Sequence, residues 1–377
     1  MLITEPSYCR TFGLYKFFMR RPLLSCLALF YCILQSCNKD SDPNSAGRPD
    51  PSTQGPIVYL AGSYTDLTRG TGGNQAAYWK NDSLNVLPGG TSSTANAIFV
   101  SKGDVFVTGE VDAQPAYWKN GVMTSLSHGL YYDAGTAIAV NGTDVYIAGT
   151  GFNTLGHFVA GYWKNGVYNQ LSSDKNNAYC SGIAISGNDV YFAGYESNPA
   201  SGKPILQGKC WKNGVPIDLT GGESSTSLND IFISDKDIYV CGYLTESSGT
   251  NGQRSTAKCW KNGQSMTLPA GTAEISIATS VWVSGSDVYV SGYKKATAND
   301  KAVAVYWKNG IVTTLSDGST DGYTGNLVVS DTDVFASYYA TPASGRAAYI
   351  KNGKVIEVTD GVKASGQSSF IFIDNRK

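Results

Sequence analysis

Nine side chains in this sequence are of the types that line a carbohydrate or peptide surface: Tyr131, Tyr132, Asp133, Tyr179, Glu223, Asp230, Glu274, Asp321 and Tyr323. Tyrosine rings offer flat apolar area with a polar tip, and carboxylates orient a hydroxyl-rich ligand. Paired as Asp133 with Glu223 or Glu274, the same carboxylates have the chemistry of a glycoside hydrolase or a polysaccharide lyase. That chemistry needs a set carboxylate separation, which spacing along the chain does not establish. The leading reading is therefore a non-catalytic ligand surface with no catalytic residue assigned, and a carbohydrate-active enzyme is its alternative. His128 and His157 are the only histidines and lack metal-ligand spacing, so no metal and no other cofactor is expected. Gly-x-Ser-x-Gly, phosphate-loop, His-Glu-x-x-His and twelve-residue calcium-loop motifs are missing, as is the Ser-x-Asp-x-Gly-x-Thr-Trp box of sialidase-like proteins.

These residues share a position only through the elements around them. The phrase Tyr-Trp-Lys-Asn begins at Tyr78, Tyr117, Tyr162 and Tyr306, recurs as Cys-Trp-Lys-Asn from Cys210 and Cys259, and ends as Tyr-Ile-Lys-Asn from Tyr349. Its second positions are 39, 45, 48, 49, 47 and 43 residues apart, the period of a repeat architecture. Each phrase follows an Asp-Val-Tyr-Val-x-Gly-Tyr-like segment, such as Asp189 to Tyr195 or Asp287 to Tyr293. A short apolar segment precedes each of these, as at Ala97 to Val100 and Ile231 to Ile233, and a last one stands alone at Phe370 to Ile373. A fourth segment follows each phrase, so every unit holds four short strands rich in β-branched and aromatic residues.

Asn-Gly after a strand is the signal of a type I′ hairpin, and it occurs at Asn120, Asn165, Asn213, Asn262, Asn309 and Asn352. A second tight turn precedes Asp104, Asp144, Asp189 and Asp287, whose carboxylates read as turn caps. The expected fold is all-β, a seven-bladed β-propeller with four-stranded blades over residues 57–373, closed by the C-terminal strand joining the N-terminal blade. The units resemble bacterial β-propeller repeats of the Ile-x-Val…Gly-x-Val-Tyr-Val-x-Gly-Tyr type. That resemblance implies a fold and little chemistry. Both tight turns fall on one side of the ring, leaving the long, variable connections and the nine candidate residues on the other. The tryptophans are expected between neighbouring blades, with the lysine of each phrase facing solvent and its stem covering apolar surface.

The N-terminus has the layout of an export signal: Arg20 and Arg21, the apolar run Pro22 to Leu34, then Leu34-Gln35-Ser36-Cys37. This ending resembles a bacterial lipobox, which implies a signal peptide over 1–36 and lipidation of Cys37, with Cys26 a weaker candidate. Gln35 departs from the small residue usual there, and Met19 offers an alternative start. Residues 37–56 read as a lipidated, flexible tether resembling the leaders of Bacteroidetes-like outer-membrane lipoproteins. The expected product is exported and anchored to the cell envelope at the outer membrane, touching the membrane only through its lipid.

Lys plus Arg is 29 against Asp plus Glu at 30, so no basic field exists to attract nucleic acid. Removal of 1–36 takes away four basic residues and one acidic, leaving a formal charge of −4. The expected state is a monomer whose partner is a glycan or an envelope protein. Four cysteines lie within the repeats, Cys180, Cys210, Cys241 and Cys259. Cys241 and Cys259, on successive strands, are the candidate disulfide, weighed against four free thiols.

Overall fold

The computed structural model describes residues 55–69, 73–126, 131–198, 205–221, 225–248, 252–341, 346–359 and 364–375. The signal peptide, the lipidation site Cys37 and the tether up to residue 54 lie outside the described residues.

Every repeat unit folds as the alternating segments require. Unit one holds β1 (Ile57–Asp66), β2 (Gln75–Lys80) and β3 (Ser83–Val86), and unit two holds β4 (Ser93–Ser101), β5 (Asp104–Val111), β6 (Gln114–Lys119) and β7 (Val122–Ser125). Unit three holds β8 (Tyr131–Asn141), β9 (Asp144–Phe152), β10 (Phe158–Lys164) and β11 (Val167–Gln170). Unit four holds β12 (Ala178–Ser186), β13 (Asp189–Asn198), β14 (Ile205–Lys212) and β15 (Val215–Ile217). Units five and six hold β16 (Thr226–Ser234), β17 (Asp237–Ser248), β18 (Gly252–Lys261), β19 (Gln264–Thr267), β20 (Ile275–Ser284), β21 (Asp287–Lys295), β22 (Val303–Lys308) and β23 (Ile311–Thr314). Unit seven holds β24 (Asp321–Ser330), β25 (Asp333–Thr341), β26 (Ala348–Lys351) and β27 (Lys354–Glu357), and β28 (Ala364–Asp374) ends the chain.

The chain is an all-β β-propeller with four-stranded blades. The inner strands β4, β8, β12, β16, β20, β24 and β28 touch in succession, and β28 in turn touches β4. β28 also lies antiparallel against β1, Val58 opposite Ile373, so the last strand completes the first sheet in the order β28-β1-β2-β3.

Hydrogen bonding departs from seven separate sheets. Five sheets stand alone with four strands, whereas β16 to β23 form a single eight-stranded sheet. The join is one parallel bridge, Ser255 opposite Ile275, supported by Ser255 N–H donating to Glu274 O at 3.1 Å. Its cause is length: β18 runs ten residues where the corresponding β22 runs six, so its outer end reaches the start of β20.

The turns match their sequence. Asn120 and Gly121 adopt φ of 50° and 80°, the paired left-handed conformation of a type I′ hairpin, and the five later Asn-Gly pairs repeat it. The tryptophans lie between neighbouring units. Trp118 and Trp307 are fully buried, and their Nε1–H groups donate at 2.7 Å to Pro88 O and Pro269 O of the preceding unit.

Candidate functional site

The tight-turn face is built from one motif, used six times. In unit six, Lys308 Nζ lies 2.8 Å from Asp287 Oδ2 and 5.1 Å from the centroid of the Tyr289 ring. Asn309 Nδ2–H donates to Asp287 Oδ1 at 2.8 Å, while Asn309 Oδ1 accepts the Val288 amide at 2.9 Å. Asp104, Asp144, Asp189, Asp237 and Asp333 are clamped in the same way. These aspartates are therefore ion-paired clamps that tie the second strand to the third strand and its following turn, rather than simple turn caps. The lysines stay partly exposed, as expected, while lying over the facing rings. Hydrogen bonds from the lysine and asparagine hold each of these carboxyls below the ordinary aspartate value. Unit one has Ile57 in place of the aspartate, and Lys80 there sits 5.6 Å from the Tyr59 centroid. With their charges satisfied locally, these groups form a structural belt.

The long-loop face carries the candidates, and the structure separates them. Tyr179 stacks on its cross-strand partner Tyr195, centroids 4.7 Å apart, and receives Phe158 of the preceding unit at 4.8 Å. Tyr323 repeats this arrangement, stacking on Tyr339 at 4.9 Å with Tyr293 of the preceding unit edge-on at 4.8 Å. All these rings are half-buried. Rings locked in this way keep part of their area at the surface with little side-chain freedom left to lose on binding.

The acidic candidates do not converge. Asp230 is fully buried, contrary to its reading as a channel-mouth ligand. Its Oδ2 accepts Ser280 Oγ–H at 2.7 Å and Val281 N–H at 3.0 Å, because it falls inside β16 rather than in the connection before it. Asp321 Oδ1 accepts the Ala302 amide at 2.8 Å and Oδ2 lies 3.4 Å from Lys301 Nζ. The Ala302 amide and then Lys301 hold its carboxyl below the ordinary aspartate value. Glu274 is exposed just before β20 and gives its backbone carbonyl to the bridge with β18. Tyr131, Tyr132 and Asp133 fall in β8, not in a loop, and their side chains lie outside the described residues, as do Glu223 and His128. His157 closes a turn, its amide donating to Asn153 Oδ1 at 3.0 Å.

Sequence reasoning missed the partner rings Phe158, Tyr195, Tyr293 and Tyr339. For Tyr195 and Tyr293 the signal was available in the Gly-Tyr step of the second strand, whereas Tyr339 follows Tyr338 and Phe158 opens a third strand. Cys241 and Cys259 are directly opposed on β17 and β18, and both are buried free thiols, as are Cys180 and Cys210. Among the described residues, no group of three His, Cys, Asp or Glu side chains is placed to hold a metal ion.

No protein-family model matches the chain, and no curated protein matches it. Solved structures similar to it include a Mycobacterium tuberculosis puromycin-hydrolyzing peptidase, at 10% identity and a TM-score of 0.49, covering 77% of this chain and 50% of that one. The chain thus spans about half the length of that peptidase. The β-propeller domain of the Trilobed protease from Pyrococcus furiosus has 9% identity and a TM-score of 0.46, covering 82% of this chain and 96% of that domain. An exo-1,5-alpha-L-arabinanase from a bovine ruminal metagenomic library has 9% identity and a TM-score of 0.33, covering 59% of this chain and 97% of its own. The distant neighbours of this propeller thus include both peptidases and a glycosidase.

Proposed function

We propose that this protein is a non-catalytic propeller of seven repeat units, exported and tethered to the envelope through Cys37, whose long-loop face binds a glycan. The carrying observation is the pair of pre-stacked tyrosine clusters, Tyr179 with Tyr195 and Tyr323 with Tyr339, each backed by a ring from the preceding unit. Such rigid, half-buried rings suit the flat apolar faces of sugars. Asp230 and Asp321 are committed to hydrogen bonds within the fold and do not form a hydrolytic pair with each other. In the seven-unit reading, the eight-stranded sheet is two blades bridged at Ser255, and β28 is the inner strand of the first blade.

A glycan array with the purified protein tests the reading, alongside the double variant Tyr179→Ala/Tyr323→Ala. The expected result is binding by the wild type and at least tenfold weaker binding by the variant. Recovery of an envelope protein with no glycan bound would assign the face to a protein partner. Polysaccharide cleavage abolished by one acid-to-amide change would assign it to an enzyme. Membrane fractionation of wild type and Cys37→Ala tests the anchor, with release of the variant from the membrane expected.

A further inference from the structure

We infer that a groove between units six and seven is a neutral-saccharide site, a proposal that rests on the glycan-binding reading and locates it. The repeat breaks here. The glycine that closes the second-strand signature is sterically required elsewhere: a Cβ on Gly194 would lie 1.8 Å from Tyr179 O, and one on Gly242 1.8 Å from Ser227 O. At Gly149 and Gly292 that atom would also meet the tryptophan of the third strand, at 2.4 Å from Trp163 and 3.0 Å from Trp307. Unit seven places Tyr338 at the glycine position and Ile350 at the tryptophan position.

The two exchanges compensate each other. Removing the indole frees space, and Tyr338 packs beside Leu315 and Ile350. The backbone adjusts as well. Elsewhere the bulge omits one inner-strand residue, as between Ala95 and Ala97. In unit seven pairing passes from Thr324–Tyr338 to Leu327–Ala336, and Asn326 N–H donates to Ser337 Oγ at 3.1 Å. Gly322 completes the accommodation, since a Cβ there would lie 3.1 Å from the Tyr338 hydroxyl.

Packing alone does not require a tyrosine beside an open cleft, and a cleft of about 460 Å³ opens at this point. That volume falls in the roughly 300–1,000 Å³ range of small-molecule sites. Tyr338, Ala348 and Val355 supply its apolar wall, and Asp317, Arg346 and Glu357 its charged rim. Arg346 is ion-paired with Glu357, their side chains 39% and 44% exposed, so both heads remain accessible from the cleft. Asp317 Oδ1 accepts Ser319 N–H at 2.9 Å and Ser319 Oγ–H at 2.7 Å. Those bonds hold its carboxyl below the ordinary aspartate value and fix its direction.

The chemistry selects the ligand. Adjacent sugar hydroxyls can donate to a carboxylate and accept from a guanidinium, while the ring covers a C–H face. Two carboxylates against one guanidinium leave the rim negative, which disfavours uronic and sialic acids.

Titration of the purified protein with neutral mono- and disaccharides, followed by saturation-transfer NMR and calorimetry, tests the site. The expected result is binding weakened at least tenfold by Asp317→Asn and by Arg346→Gln. Asn at 317 keeps the acceptor for Ser319, and both side chains are at the surface, so thermal melts should match wild type. Wild-type binding that survives in both groove variants but is lost in Tyr179→Ala/Tyr323→Ala would overturn the groove and leave the face reading intact. Binding of no neutral saccharide by the wild type would overturn the groove, and binding of no glycan at all on the array would overturn both. A preference for acidic sugars would overturn the groove assignment.

Discussion

Asp230 Oδ2 accepts a hydrogen bond from Ser280 Oγ at 2.7 Å, joining inner strands of consecutive repeat units through a fully buried carboxylate. The same oxygen takes the Val281 amide at 3.0 Å, and next to it Asn229 Nδ2–H donates to Ala278 O at 2.7 Å. This boundary is also the one bridged by Ser255 and Ile275, so two independent devices tie units five and six together. Removing the acceptor would leave a buried hydroxyl and a buried amide without it, and such groups cost more than the net worth of the bonds they made. Asp230→Ala should lower unfolding stability by about 2–4 kcal/mol and Ser280→Ala by about 1 kcal/mol. Urea unfolding that follows the midpoint at constant slope measures both. An Asp230→Ala midpoint equal to wild type would show that the carboxylate carries no such role.

The clamps on the tight-turn face make a prediction about acid. In each of Asp104, Asp144, Asp189, Asp237, Asp287 and Asp333 the folded-state value lies below the 3.8 of a free aspartate. A depressed carboxyl stabilises the fold above its unfolded value and loses that contribution as pH falls through its folded value. Thermal midpoints should therefore hold level as pH drops toward 5 and fall below about 4. Lys164, Lys212, Lys261 and Lys308 are shifted upward, chiefly by hydrogen bonds to the paired aspartate or the facing tyrosine, so their contribution is present below 10.5 and fades above it. Asp287→Asn should flatten part of the acid fall, and melts from pH 7 to 2 compare the slopes. Identical slopes in the variant and wild type would remove the clamp from the account.

The glycine at the bulge gives a steric prediction. A methyl group on Gly242 would sit 1.8 Å from Ser227 O, inside any real contact, and backbone on both strands would have to move. Gly242→Ala should cost about 3 kcal/mol or more, at the upper end of single substitutions. Circular dichroism melts would detect it as a marked drop in midpoint. A midpoint within 2 °C of wild type, roughly the shift of a surface change, would contradict the bulge geometry.

These particulars explain what could be read from residues alone. Asn120-Gly121 and its counterparts specify hairpins because only left-handed φ values close them, so strand phase was legible throughout. The lone segment at Phe370 to Ile373 was legible as the partner of β1 because unit one lacks a strand of its own. The merging of β18 with β20 was not legible, since it depends on how far one strand extends past its hairpin. Asp230 was misplaced for a related reason: the apolar segment begins only at Ile231, whereas β16 starts at Thr226 and carries Asp230 inward just past its bulge. The groove at Tyr338 was written in the repeat as a Gly-to-Tyr exchange matched by Trp-to-Ile at 350, a signal visible only when units are compared position by position.

The cysteines carry the last prediction. Cys180, Cys210, Cys241 and Cys259 are all buried and free. Burial raises their pKa values, Cys259 to about 12, and the charge of Asp230 adds to the rise at Cys241 and Cys259. Since the thiolate is the reactive form, alkylation of the native protein at pH 8 should be very slow at all four. Cys241 and Cys259 nevertheless face each other at a site without mutual backbone hydrogen bonds, since the exchange of bonds falls on the neighbouring positions, as the Asn262 amide to Ile238 O at 2.9 Å fixes. Such sites bring opposed Cα atoms to about 4.5 Å, within the reach of a disulfide, so oxidation state is a matter of chemistry rather than distance. With four free thiols, iodoacetamide in guanidinium should label all four whether or not reductant is added, as read by peptide mass spectrometry. Labelling of Cys241 and Cys259 only after reduction would instead identify them as a cross-strand disulfide, and rapid labelling of the native protein would contradict their burial.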